Sequence, residues 1–279
     1  MTKISSANFP RAIVTKTNPT DTQGPLLFSA ASYNIHQGVG SDGKRDDRRI
    51  VRVLQSLDAG IIGLQEVDSE VSGDENFQLK YLTGETDLKA VPGTTMRRRG
   101  SDFGNVLLTR YKILAVRNVD LSVSRREPRG AIDVDLDIGG AVVRVIVTHL
   151  GLSGRERRRQ THMLSALVSE RRDRMVVVLG DLNEWHPYGR SLRSMARHFG
   201  TSARLRTFPS RMPLFALDRI WVWPEQALVE TRVHRLAPAR TASDHLPIKA
   251  KITTAYAQPL KLEGGAHDLS ATLNLDPIP

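Results

Sequence analysis

The stretch that decides the fold is Val176–Trp185, VVVLGDLNEW. Its apolar run has strand length, and an apolar run of that kind reads as a strand covered on both faces. The run closes on Gly180 and then sets Asp181 and Asn183 two residues apart, followed by a bulky aromatic. A buried strand that ends on a carboxylate and an amide, rather than on ordinary turn residues, delivers polar chemistry to the edge of a core.

Working outward, the same pattern recurs. Val-, Ile- and Leu-rich runs with turn signals around them are LLFSAASYN, IIGLQEV, GNVLLT, AIDVDLDI, AVVRVIVTHL, LDRIWVW and LPIKAKIT. Each reads as a strand. The AIDVDLDIGGAVVRVIV segment turns at Gly139-Gly140, which requires antiparallel pairing. Two segments read as helices. Asp46–Leu57 places Ile50, Val53, Leu54 and Leu57 on one face, and the segment from Ser153 opens on the capping box Ser153/Glu156 and turns Met163, Leu164, Leu167 and Val168 inward. Strands in irregular alternation with helices predict an α/β layered domain with mixed sheets.

Composition bounds the function. The chain has 279 residues, enough for a sizeable core, with 40 Lys+Arg against 30 Asp+Glu and a net charge of +10. A basic balance favours polyanionic partners, nucleic acid first and an anionic membrane surface second. With no cysteine, disulfides, thiolate metal sites and a cysteine nucleophile are excluded. Neither a signal-like apolar segment nor a run long enough to span a bilayer is present, which predicts a cytoplasmic protein. Residues 1–25 and 257–279 lack periodicity and read as flexible tails around one domain, 26–256.

The strand ends carry the chemistry. SYNIHQG presents Asn34 and His36, GLQEV presents Glu66, VTHL presents His149, GDLN presents Asp181 and Asn183, LDRI presents Asp218, and SDHLPI presents Asp244 and His245. Taken singly, a strand-end Asp or His is often only a turn former. Together they form an oxygen-rich set with imidazoles beside it, suited to a hard cation such as Mg²⁺.

In this order the motifs resemble the endonuclease/exonuclease/phosphatase superfamily, which includes deoxyribonuclease I, apurinic endonucleases, neutral sphingomyelinases and inositol-polyphosphate 5-phosphatases. GDLN and SDHLPI discriminate best, and the resemblance runs from about Leu26 to about Thr253. It implies a four-layer α/β sandwich, two mixed sheets face to face with helices outside, and a phosphoric ester hydrolase. It further implies Mg²⁺ at Glu66 with Asn34 and Asp244 nearby, Mn²⁺ being able to substitute. Asp181 and Asn183 match the pair that orients or deprotonates water and holds the phosphate. Asp218 matches the aspartate that hydrogen-bonds the histidine, His245, and His149 matches a general acid of the deoxyribonuclease and sphingomyelinase branches.

Departures are equally informative. VTHL carries a histidine where apurinic endonucleases carry tyrosine, which argues against abasic-site repair. His36 stands where those enzymes have an aspartate, and is either a site neighbour or structural. No acidic partner for His149 is evident, leaving Asn105 as a substitute. Three arginine clusters, Arg97–Arg99, Arg125 to Arg129 and Arg155 to Arg159, are either phosphate-capturing or solvated faces, with Arg129, Arg157 and Arg158 placed best for substrate. Trp221 and Trp223 read as core, while Trp185 and Tyr188 either stack on a base or pack under their loop. The resulting expectation is a Mg²⁺-dependent phosphodiesterase acting on nucleic acid. The alternatives are a lipid or inositol phosphoesterase, with RMPLFAL as its one membrane-touching loop, and a non-catalytic nucleic-acid-binding domain, disfavoured because a binder has no need of a complete metal site.

Overall fold

The computed structural model describes residues 24–71, 78–98, 101–169 and 174–260. In chain order its strands are β1 (Leu27–Asn34), β2 (Ile61–Val71), β3 (Lys89–Arg98), β4 (Ser101–Thr109), β5 (Lys112–Asp120), β6 (Gly130–Ile138), β7 (Ala141–His149), β8 (Met175–Asp181), β9 (Asp218–Trp223), β10 (Leu228–Val233), β11 (Ile248–Thr253) and β12 (Gln258–Pro259). The α-helices are α1 (Asp47–Leu57), α2 (Gln78–Gly84), α3 (Gly154–Ser169), α4 (Arg190–Phe199) and α5 (Ala239–Ala242).

Within the described residues the strands form two six-stranded sheets. The first runs β10-β11-β1-β2-β4-β3; the second runs β5-β6-β7-β8-β9, with β12 against β7. Each sheet is mixed through one parallel pair, β1 with β2 and β7 with β8. Three apolar layers follow from side-chain alternation. One, including Phe28, Ile61, Val145, Val177 and Ile220, lies between the sheets. A second joins the outer face of the first sheet to Ile50, Val53, Leu54 and Leu57 of α1, and a third joins the outer face of the second sheet to Leu164 and Val168 of α3 and Met195 and Phe199 of α4. The architecture is a four-layer α/β sandwich.

The local signals act as the sequence suggests. Asp46 caps α1 by accepting from the amides of Arg48 and Arg49. Glu156 makes the returning bond of its capping box to the Ser153 amide at 3.4 Å. Gly139 and Gly140 both take positive φ, 62° and 82°, as a two-residue hairpin with a primed turn demands. Unanticipated elements include the edge strands β3, whose apolar pattern is diluted by Pro92 and Gly93, β5 and β10, the short helices α2 and α5, and α4, whose arginines mask its apolar stripe. Sheet pairing extends past Tyr256 to β12, and residues 1–23 and 261–279 lie outside the described residues.

Candidate active site

The two parallel pairs place the polar residues on one edge of the sandwich. In the first sheet Asn34 is opposite Gln65; in the second His149 is opposite Asp181. The backbone departs from regular geometry at these positions. A bulge shifts the β2–β4 register between Leu64 and Val67, and Glu66 within it has φ 59°. A bulge re-aims a side chain that a regular strand would send elsewhere. Asn183 has φ 50°, a conformation asparagine tolerates better than most residues, and its amide donates to Asp181 Oδ1 at 2.8 Å. Gly180 is required by space: a Cβ there would come within 1.9 Å of the Thr148 carbonyl oxygen, which is backbone and cannot yield.

These side chains line a cleft of about 260 Å³ with Asn34, His36, Glu66, Arg129, Asp244 and His245 among its walls. Asn34 Nδ2 donates to Glu66 Oε1 at 3.0 Å and to Asp181 Oδ2 at 3.1 Å, tying the first sheet to the second. His245 Nδ1 lies 2.9 Å from Asp218 Oδ2. The Nε2 atoms of His245 and His149 each stand 3.6 Å from Asp181 Oδ2. Ser243 closes the arrangement, with Oγ donating to the Asn34 carbonyl at 2.7 Å and accepting from the His245 amide at 3.2 Å.

The two histidines have opposite electrostatics. Burial alone pushes His245 down, but the carboxylates of Asp218, Asp181 and Asp244 outweigh it and raise the ring to about 10. For His149 burial is also the largest cause. Asp181 opposes it while Arg129 and His245 add to it, and the ring falls to about 3. Geometry gives His149 the same character independently. Arg129 Nη1 approaches its Nδ1 at 3.4 Å and Asn183 Nδ2 approaches its Nε2 at 3.0 Å, so both ring nitrogens meet donors. Asn183 Nδ2 also donates to the Leu150 carbonyl at 2.9 Å, which fixes the amide orientation. An imidazolium would turn an N–H against a donor on both sides, a neutral ring on only one. Burial and Arg129 thus favour a neutral His149, and the carboxylates around His245 favour its protonated ring.

For a cation, the fitting donors are oxygens. Glu66 is half-exposed to the cleft and, among the described residues, forms no ion pair, and Asp244 opens onto the same space. They supply the hard oxygen donors that Mg²⁺ or Mn²⁺ prefers, beside Asn34, whose Nδ2 faces Glu66 and whose Oδ1 accepts from the His36 amide. Asp181, Asp218 and His245 also bring ligand atoms within 4.8 Å of one another. In that group the His245–Asp218 hydrogen bond already engages one carboxylate oxygen and one ring nitrogen.

Not every sequence expectation reaches the cleft. His36 does, with Nδ1 3.1 Å from the Val39 carbonyl and 3.7 Å from Asp244 Oδ1. Arg129 does, buried at 7% exposure and ion-paired with Glu127 at 3.1 Å. Asn105 is not the partner of His149. Its Nδ2 donates to the Gly130 carbonyl at 3.0 Å, beside the Thr148 hydroxyl on the same oxygen, and so secures the strand that carries Arg129. Arg157 is not a phosphate ligand. It is buried, ion-paired with Glu184 at 3.3 Å and bonded to the Leu152 carbonyl at 2.6 Å, bracing the loop after Asn183. Arg158 is exposed and faces a different groove, between α3 and α4. Arg99 lies outside the described residues. Trp221 is core, whereas Trp223 is 37% exposed. Sequence reasoning gave no role to Phe208, which packs on His245 with ring centroids 4.9 Å apart, or to Glu127; only the serine in SDH foreshadowed Ser243.

With the fold and this geometry in place, comparison with known proteins decides the family. The sequence model of the Endonuclease/Exonuclease/phosphatase family matches residues 31–245. The chain belongs to that family. It is 31% identical to uncharacterized protein YbhP of Escherichia coli (strain K12) over 254 residues, 84% of this chain and 99% of that one. Its fold is similar to that of the endonuclease/exonuclease/phosphatase from Bacteroides vulgatus, with a TM-score of 0.67 and 17% identity over 81% of this chain and 98% of that chain. It is also similar to mannosyl-6-phosphatase Bt3783 of Bacteroides thetaiotaomicron, with a TM-score of 0.62 and 19% identity over 80% and 98% of the respective chains. No described helix is long and apolar enough to cross a membrane.

Proposed function

We propose that the protein is a metal-dependent phosphodiesterase that hydrolyses phosphodiester bonds in nucleic acid, acting in the cytoplasm. The observation that carries this reading is Asp181 Oδ2, which faces the Asn34 amide and both histidines at once, with a carboxylate behind one histidine and a guanidinium beside the other. Glu66, Asn34 and Asp244 would hold Mg²⁺, which when bound neutralises charge on the phosphate. Asp181 orients and deprotonates the attacking water, assisted by the Asn183 amide. Asp218 keeps a proton on His245 Nδ1 and supports the ring's charge, leaving Nε2 to donate to a phosphate oxygen. His149, neutral, serves as a hydrogen-bonding wall rather than a general acid. Arg129 and His36 take phosphate oxygens on the two sides of the cleft.

The net charge of +10 and the aromatic rings of Trp185 and Phe208 at the cleft support a nucleic-acid substrate. One observation favours a lipid phosphodiester as the second reading. Leu152, Met212 and Leu214 are each at least half exposed, and Trp185, which lines the cleft, packs edge-on against Phe215 of the same 206–215 segment. A panel of plasmid DNA, single-stranded DNA, RNA, a small bis-phosphodiester, a sugar 6-phosphate, sphingomyelin and phosphoinositides separates these. Turnover of nucleic acid that vanishes with EDTA and returns with Mg²⁺ or Mn²⁺ is expected. Full activity after exhaustive chelation overturns the metal assignment, and preference for a phospholipid or a sugar monoester overturns the substrate.

A further inference from the structure

Strand β9 carries different chemistry on its two faces. Asp218, Ile220 and Val222 point between the sheets, where Asp218 meets His245. Arg219 and Trp221 point outward beneath α4, Trp221 into the outer core. Arg219 is 2% exposed, yet its side chain has only two long contacts, to the carbonyls of Ala203 at 3.4 Å and Asp218 at 3.5 Å. Among the described residues it forms no ion pair. Glu184 and Asp218 are the acids within electrostatic reach, but Glu184 is bonded to Arg157, Ser191 and the His186 amide, and Asp218 to His245. Burial accordingly depresses Arg219 to about 10. A buried cation with such poor compensation is costly to the fold.

The surroundings indicate what compensates it. Arg219 and Trp221 line a cavity of about 110 Å³ together with Tyr188, Arg193, Ser202 and Arg204. The indole Nε1 of Trp221, at 3% exposure, has no hydrogen-bond partner, and the Arg204 guanidinium lies 4.3 Å over the Tyr188 ring. Three arginines, an indole and the hydroxyls of Tyr188, Thr201 and Ser202 line the cavity, and no carboxylate does among the described residues. A lining that carries cations and no anionic acceptor suits a compact anion rich in acceptor oxygens, and guanidinium forks suit phosphate best. The cavity has room for one such group and little more. Arg193 and Ala196 also line the neighbouring groove of about 710 Å³ between α3 and α4, whose walls include Arg158, Arg190 and Arg197, none of which is in an ion pair among the described residues.

We infer that Arg219, Arg193, Arg204 and Trp221 form a second phosphate-group site, behind the catalytic pair on the opposite face of β9, and that its phosphate belongs to a nucleic-acid strand lying along the α3–α4 groove. The exposed apolar residues Leu152, Met212 and Leu214 belong to other segments and none lines this groove, so the groove lacks the apolar anchors of a membrane-docking face. The site needs no hydrolysis and stands whether or not the catalytic reading does.

The test uses the full chain in EDTA. Thermal unfolding and calorimetric titration are run with inorganic phosphate at matched ionic strength, with a 5′-phosphorylated oligonucleotide and with phosphatidylglycerol vesicles. Phosphate should stabilise the wild type and an Arg129→Met/His245→Gln double variant alike, placing the effect outside the catalytic cleft. Arg219→Met, which keeps the volume and removes the charge, should be at least as stable as wild type without phosphate and should bind phosphate about tenfold or more weakly; Arg193→Gln should weaken it as well. The oligonucleotide should bind more tightly than free phosphate, and Arg158→Gln with Arg197→Gln should remove that advantage. An Arg219→Met protein that is destabilised yet binds phosphate normally overturns the site. Equal affinity for phosphate and oligonucleotide, or capture by vesicles through these same arginines, overturns the nucleic-acid occupant.

Discussion

His149 and His245 flank a single oxygen, each with Nε2 3.6 Å from Asp181 Oδ2, and differ in what stands behind them. Behind His245 is the fully buried carboxylate of Asp218; behind His149 is the guanidinium of Arg129. Both rings are almost completely buried, so desolvation is common to them and cannot be the source of the difference. The partner decides. A carboxylate overturns burial at one ring and favours its charged form, while at the other burial goes unopposed by such a partner and a guanidinium adds to it, so one cleft holds a charged donor and an uncharged wall on the two sides of its central carboxylate. Two histidines at one site are thus not two copies of one function.

The strongest way to break this contrast is to remove the carboxylate. Asp218→Asn is nearly isosteric, so packing should survive while His245 loses the group that fixes its proton and supports its charge. Turnover on the best substrate should fall by on the order of 10³-fold, and His245→Ala by a comparable factor. Because the two act as one unit, the double variant should lose little beyond either single one. Turnover of the three variants, with thermal melts to check folding, decides it. Additive losses in folded protein would reduce Asp218 to a structural neighbour of Arg219.

A smaller effect should follow from removing the guanidinium. Arg129→Met keeps bulk at a buried position while deleting the charge beside His149. Catalytic efficiency should drop by about a hundredfold through lost phosphate contact. The His149 ring, followed by NMR, should become easier to protonate than at its present value of about 3, without reaching an ordinary value, since burial is the larger cause and remains. A ring that does not move would show that Arg129 serves phosphate alone.

Much of this contrast could be anticipated from the chain, and the missing part has a definite reason. The GDLN and SDHLPI segments, together with the strand ends carrying Asn34, Glu66 and His149, converge on one cleft because strand termini on one sheet edge are brought together by the order of apolar runs, which sequence displays. The Gly139-Gly140 hairpin and the Ser153/Glu156 capping box were equally legible, since each is a local interaction. Arg157 was misread because an arginine in a polar run looks like a solvated or phosphate-binding residue, whereas its fate is set by Glu184, which lies 27 positions away. Asn105 was misassigned for a related reason: its partner is the Gly130 carbonyl, and backbone acceptors leave no trace in side-chain identity. Arg129 was singled out as a phosphate ligand, but its contact with His149 depends on β6 and β7 lying antiparallel in a particular register, with Ala131 opposite Thr148. Strands β3, β5 and β10 escaped because edge positions and Pro92 dilute the apolar pattern on which recognition rests.

The mildest effect sharpens the contrast without touching catalysis, by comparing how stability depends on pH in EDTA-treated protein. His245 has a folded value of about 10 against an ordinary 6.5. Below pH 6.5 the ring is protonated in both folded and unfolded chains, and its contribution to stability is fully present. Between 6.5 and 10 only the folded chain holds the proton, so stability should decline as pH rises, at a limiting slope of about 1.4 kcal/mol per pH unit. His149 runs the other way. With a folded value of about 3, it is protonated only in the unfolded chain between pH 3 and 6.5, so stability should decline as pH falls through that window. Denaturant unfolding of wild type, His245→Gln and His149→Gln across pH 4 to 10 isolates the two contributions as differences from wild type. The stability that wild type holds over His245→Gln should shrink above neutral pH, and the corresponding difference for His149→Gln should shrink below it. If both differences changed in the same direction with pH, the two rings would share one electrostatic character, and the partner behind each would not be what sets it.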